Sequence, residues 1–294
     1  MKTPIRILFV ALLALLAGCE TSMPSSGEGG PQLGLQSYTC RNMSFEEVVE
    51  FAVKHQIKQV QMFSKHVDPK GTKEETLRKK ALLDQRGLVC YTFGVAGTSA
   101  NKEDNRKLFE FAKVMGCKII VVEPKNMAEW DNLEQLVKEY DIKLAIHNHG
   151  TGSVYGDPET VKKILATRDA RIGVCLDIGH VTSAGFDAAK VFREYNGRVF
   201  DMHLKDKRVE PAAPVAANAP DAKGGKKGGK KAAGPVVLDV EIGTGQANYQ
   251  GLFAEIKKAK WSGVMAIETD NAGFAQDPNK LVAGAVAFFK ANTK

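Results

Sequence analysis

The sequence predicts an α/β fold, a single-domain (β/α)8 barrel. Three observations carry that expectation. Short apolar runs of strand length alternate with helix-like segments eight times along the chain. The 294 residues suffice for one large barrel. The first strand–helix turn, Tyr38-Thr39-Cys40-Arg41-Asn42, lacks the glycine-rich phosphate loop that opens a doubly wound nucleotide-binding sheet.

Taken in order, residues 33–39 read as the first strand. Ser44 is set to cap the first helix, with Glu47 three positions on as its capping-box partner, and that helix runs to about 55. The second strand is 57–63. Thr72 caps a helix over 72–86 that Gly87 ends. Strand 88–95 leads to helix 101–115, stopped by Gly116, and strand 118–123 is ended by Pro124. Helix 130–140, strand 142–147 and helix 157–167, with Pro158 at its first position, follow. Strand 171–177, helix 187–195, strand 198–203, helix 249–259, strand 263–268 and helix 278–291 complete the eight units.

One irregular segment precedes the pattern and another interrupts it. Residues 1–18 combine Lys2 and Arg6 with an apolar run too short to span a bilayer as a mature helix, and Leu16-Ala17-Gly18-Cys19 resembles a lipoprotein cleavage box. The expectation is a signal peptide over 1–18, a lipid on Cys19, a Ser/Gly-rich tether over 19–31, and a barrel over 32–294 held at an extracytoplasmic (periplasmic) membrane surface. Between the seventh strand and seventh helix, 209–235 is Ala, Pro, Gly and Lys with almost no large apolar residue, and reads as a disordered insertion.

The net charge of +7 does not point to nucleic acid, because the excess sits on these two segments. The stretch 207–231 alone holds seven basic and two acidic residues. The five cysteines show no CxxC spacing, so neither a zinc knuckle nor a disulfide framework is indicated, and Cys90, Cys117 and Cys175 read as buried thiols.

A barrel of this kind carries its chemistry at the C-terminal ends of its strands. Those ends hold Glu123, His147-Asn148-His149, Asp177 with His180, Asp201 through Asp206, and Glu268-Thr269-Asp270, each after an apolar run. Four of the six histidines fall at this one rim; His55 and His66 lie outside it. Imidazole and carboxylate without thiolate suit a divalent ion such as manganese, cobalt, zinc or magnesium. Gly179 is read as a turn residue between Asp177 and His180.

The ordered set Leu176-Asp177-Ile178-Gly179-His180, His203-Leu204-Lys205-Asp206, Glu241-Ile242-Gly243-Thr244-Gly245 and Ile267-Glu268-Thr269 resembles the xylose isomerase-like barrel superfamily over about residues 33–292. The resemblance implies metal ligands at Asp177, His203 and Glu268, with His147 where the family usually has a glutamate. It implies substrate contact or proton shuttling by His149 and His180, and a substrate or enolate contact by Lys205. Glu123 is a candidate base or alternative ligand, and the loop Gly243–Gly245 is read as shaping the rim.

The activity so implied is a metal-dependent sugar isomerase or epimerase, abstracting a proton next to a carbonyl through an enediolate. The alternative is a lyase or hydratase on keto-sugars or 3-keto-glycosides, since His147 removes the second carboxylate that two-base epimerisation needs. A non-enzymatic sugar-binding lipoprotein is a third reading. An endonuclease reading is set aside because the strand-three end Phe93-Gly94-Val95-Ala96 and the loop Asp239-Val240-Glu241 carry no histidine. The expected partner is a small sugar or keto-sugar.

Overall fold

The structure is a computed structural model that describes residues 29–211 and 235–293. The strands in chain order are β1 (Gln32–Gln36), β2 (Gln59–Met62), β3 (Val89–Ala96), β4 (Ile119–Val122), β5 (Lys143–His147), β6 (Ile172–Asp177), β7 (Val199–Leu204), β8 (Asp206–Glu210), β9 (Val236–Val240) and β10 (Val264–Ile267). Eight of them close in parallel in the order β1-β10-β7-β6-β5-β4-β3-β2, and β8 and β9 form a separate antiparallel hairpin. This is the (β/α)8 barrel that the alternation predicts.

Around it stand α1 (Phe45–Lys54), α2 (Lys73–Gln85), α3 (Lys102–Met115), α4 (Glu129–Tyr140), α5 (Pro158–Thr167), α6 (Ile178–Ser183), α7 (Ala188–Glu194), α8 (Tyr249–Ala259), α9 (Ala272–Gln276) and α10 (Asn279–Asn292). Local chemistry fixes their ends as the sequence implies. Ser44 and Glu47 form the reciprocal capping box of α1. Thr72 caps α2 through the Glu75 N–H, and Gly116 closes α3 in the left-handed region. Among the described residues no helix is long and apolar enough to cross a membrane.

Alternation along each strand sorts the side chains into two sets. Ile120, Val122, Leu144, Ile146, Val174, Leu176, Met202, Leu204, Met265 and Ile267 face outward and join the core beneath the helices. Ile119, Val121, Ala145 and Cys175 fill the inside as a small separate cluster. The next inward position above each inner residue is Glu123, His147 or Asp177. On β7 and β10 the same count reaches His203, Lys205 and Glu268. One pleat, continued past the apolar floor, therefore delivers six polar side chains to the barrel mouth.

Three expectations need correction. The first strand ends at Gln36, not 39; the Gln36 side chain accepts from the Tyr38 N–H and starts a short 3-10 turn, Ser37–Cys40. Residues 178–183 form a helix, so Gly179 is not a turn. A Cβ on Gly179 would lie 2.7 Å from Lys205 Cγ, so glycine serves the close approach of that lysine. The expected insertion over 209–235 begins inside a hairpin, for Val209 and Glu210 belong to β8. Its central part, 212–234, lies outside the described residues, as do the signal peptide, Cys19 and most of the tether. Cys90, Cys117 and Cys175 are buried and free, as expected.

Candidate active site and metal centre

The neighbouring β6 and β7 set Asp177 directly beside His203, and β5 brings His147 next to Cys175 one level below. Asp177 does two jobs at once. Its Oδ1 accepts from the His180 N–H at 2.8 Å and caps α6, while its Oδ2 faces the barrel axis. Asn148 bonds the Asp177 backbone on both sides, at 2.9 and 3.1 Å, and holds the strand end in position.

Three donor atoms meet there. His203 Nδ1 lies 3.2 Å from Asp177 Oδ2 and 3.2 Å from His147 Nε2, and His147 Nε2 lies 3.5 Å from Asp177 Oδ2. The outer nitrogen of each imidazole is already engaged. His147 Nδ1–H donates to Glu123 Oε1 at 2.5 Å, and His203 Nε2–H donates to Gln61 Oε1 at 2.8 Å. Each ring thus turns its inner nitrogen toward the same point, free to offer a lone pair there once it is deprotonated, and a carboxylate oxygen joins them. Donors bound to one ion at about 2.0–2.2 Å stand roughly 3.0–3.5 Å apart, which matches this triangle. His147, Asp177 and His203 form a group that could hold a metal ion.

A fixed positive charge stands beside it. Lys205, 1% exposed, extends its Nζ to 2.5 Å from Glu268 Oε2, 2.6 Å from Asp270 Oδ2 and 3.6 Å from Asp177 Oδ2. Burial works against its charge, but these three carboxylates hold its pKa well above the usual lysine range. Burial likewise opposes a charge on His147, yet the bonds to Asp177 and Glu123 raise it to about 9. Burial pushes the Glu123 carboxyl up, and the His147 bond more than offsets this, leaving it below its ordinary value. His180 is driven down to about 2, first by burial, with Lys205 and His147 adding to it. His149, more exposed at the rim, is lowered by partial desolvation as well. The two rings stack with centroids 4.0 Å apart. All these groups except Asp177 line one cavity of about 340 Å³, closed on its far side by Gln36, Tyr38 and Phe63.

The barrel therefore brings every predicted site residue, Glu123, His147, His149, Asp177, His180, His203, Lys205 and Glu268, to one mouth. Within it, Glu268 pairs with Lys205 instead of entering the donor triangle. Lys205 pairs with Asp177, Glu268 and Asp270, not with its neighbour Asp206. The Asp206 carboxylate instead accepts the N–H groups of Gly243, Gly245 and Ala247 at 2.8–3.2 Å. The glycine loop thus wraps an internal anion.

Sequence reasoning missed Gln61 and gave no role to Asp270. Gln61 carried a usable signal: with Gln59 it is polar at alternate positions of a strand whose other members, Val60 and Met62, are apolar. Its Nε2, buried, has no hydrogen-bond partner.

Residues 49–292 match the family model described as xylose isomerase-like TIM barrel. The chain belongs to that family. An inosose dehydratase of Clostridium perfringens is 26% identical over 77% of this chain and 84% of that relative. An inosose dehydratase of Lacticaseibacillus casei is 23% identical over 85% of this chain and 86% of its own length. Among solved structures, an IolI protein with a bound zinc atom aligns over 89% of this chain and 96% of its own at a TM-score of 0.64 and 15% identity, which speaks for the fold.

Proposed function

We propose that this chain is a divalent-metal-dependent lyase that eliminates water from a cyclic polyhydroxy ketone. The observation that carries this reading is the convergence of two imidazole nitrogens and one carboxylate oxygen beside a buried ammonium. The inosose dehydratase relatives, matched over most of their length, favour elimination over the isomerase or epimerase first expected. The zinc atom named for the IolI protein agrees with a divalent ion here.

In this reading His147, Asp177 and His203 hold the ion, and Glu268, which shares the Lys205 ammonium with Asp177, completes the set. A bound divalent ion supplies Lewis acidity to the ketone and charge for an enolate oxygen. Glu123 and Gln61 fix the tautomers of the two ligand imidazoles. Lys205, kept charged by its neighbours, stabilises negative charge on the substrate oxygen. His149, stacked on His180, takes the proton from the carbon next to the carbonyl. As imidazolium it returns that proton to the departing β-hydroxyl. Water leaves, an unsaturated ketone remains, and no net proton is consumed.

The test is full-length protein with 2-keto-myo-inositol and manganese, cobalt or zinc, followed by ultraviolet absorbance of the conjugated product. Metal-dependent absorbance growth is expected. Aldose–ketose interconversion without elimination would return the assignment to an isomerase.

A further inference from the structure

A second cavity, of about 920 Å³, opens beside the first, over the ends of β2 and β3 and between α2 and α3. The two adjoin. Val95 lines both, and the chain passes from one wall to the other between Phe63 and Ser64. The donor triangle stands on β5, β6 and β7, across the barrel from β2 and β3. A molecule seated on those donors and reaching over the mouth, past Tyr38 and Phe63, arrives in the second cavity.

The walls there say what kind of unit it receives. Lys70, Lys73 and Lys107 are balanced by Asp68, Asp104 and Glu110, so the space favours neither an anion nor a cation. Phe93 and Phe111, packed edge to face with centroids 4.8 Å apart, make an apolar floor. Thr76 and Ser99 add hydroxyls. An apolar floor ringed by neutral-sum donors and acceptors suits a polyhydroxylated ring, apolar on its face and polar on its rim. The first cavity suffices for one six-membered ring, which leaves the second without a role if the substrate is a lone ring.

We propose that the substrate has two rings: a cyclic ketone on the donor triangle and a neutral sugar in the second cavity, joined through the oxygen β to the ketone. The proposal rests on the elimination chemistry above and changes its leaving group. The base removes the proton from the carbon between the ketone and the linking carbon. That electron pair forms the carbon–carbon double bond, and the carbon–oxygen bond to the second sugar breaks. The departing oxygen takes the proton. The products are an unsaturated cyclic ketone and a free sugar, with no oxidant, reductant or water consumed.

The experiment compares two probes on metal-loaded, full-length protein: a disaccharide bearing a ketone at carbon 3 of one ring, and 2-keto-myo-inositol. Remote binding contributes to the transition state, so kcat/KM should favour the two-ring probe by about tenfold or more. Gly97 lines the second cavity, has no positive φ, and a Cβ built on it meets nothing within 4 Å. Gly97→Trp should fill the space and erase the preference, changing the one-ring probe by less than about threefold. Ser64→Trp, at an exposed wall position, is the second variant. Equal turnover of both probes, or a preference that neither variant moves, overturns the two-ring substrate and leaves the lyase standing. Turnover of neither probe removes the lyase and this inference together.

Discussion

Lys205→Met tests how the site is held together. The ammonium is 1% exposed and lies within 3.6 Å of three carboxylates, two of them on buried side chains. Methionine keeps the volume and removes the charge. Glu268 is then left buried without a cation, and Asp177 keeps only the His147 imidazolium. Breaking a buried pair in this way costs about 3–5 kcal/mol. For a chain of this size, 3 kcal/mol corresponds to a Tm lower by roughly 6–12 °C. Thermal unfolding of metal-free wild type and variant reads this directly. The gap should narrow in saturating manganese, because a divalent ion between His147, Asp177 and His203 supplies the missing positive charge to Asp177. It should narrow again near pH 4, where protonated carboxylates need no partner. A metal-free variant as stable as wild type to within about 1 kcal/mol would refute the claim that Lys205 is the counter-charge of this cluster.

Three further outcomes follow from the same geometry. His147, raised to about 9 in the metal-free protein, is protonated at neutral pH, so loading a divalent ion should release about one proton at pH 7. Affinity should then rise about tenfold per pH unit up to about 9 and level off; calorimetric titration in buffers of different ionisation heat checks this, and zero release would contradict it. The sign for stability is the reverse: the metal-free protein gains from His147 below its unfolded pKa and loses that gain as pH climbs through about 9. Gln61→Leu frees the outer nitrogen of His203 and should weaken metal retention by about 10–100-fold, measured by metal content after dialysis, with the fold intact. Gly179→Ala drives a methyl toward Lys205 Cγ; displaced by about 1 Å, the ammonium should lose roughly tenfold or more in kcat/KM, with the circular dichroism spectrum preserved.

Much of the site was legible because strands alternate. A reader who counts by twos from Val121, Ala145, Cys175, Asp201 and Ala266 lands on Glu123, His147, Asp177, His203 and Glu268, whatever the fold does next. Gln61 obeys the same count. It escaped notice because glutamine carries no charge and is common on strand edges, so nothing in one strand marks it as the partner of a histidine 142 positions away. Gly179 was misread for a related reason: glycine signals either a turn or a close neighbour, and the neighbour, Lys205, is known only once β6 and β7 lie side by side.

The sequence by itself determined the eight alternating units, the helix caps, the inward set of each strand and the acid-and-imidazole character of the mouth, since all of these follow from spacing within one segment. Barrel closure decided the rest. The stagger of neighbouring strands chose which inward residues share a level, so it made a donor triangle of His147, Asp177 and His203 and tied Glu268 to Lys205. It also left the space over β2 and β3 open. Those are distances between segments far apart in the chain, and no local pattern records them.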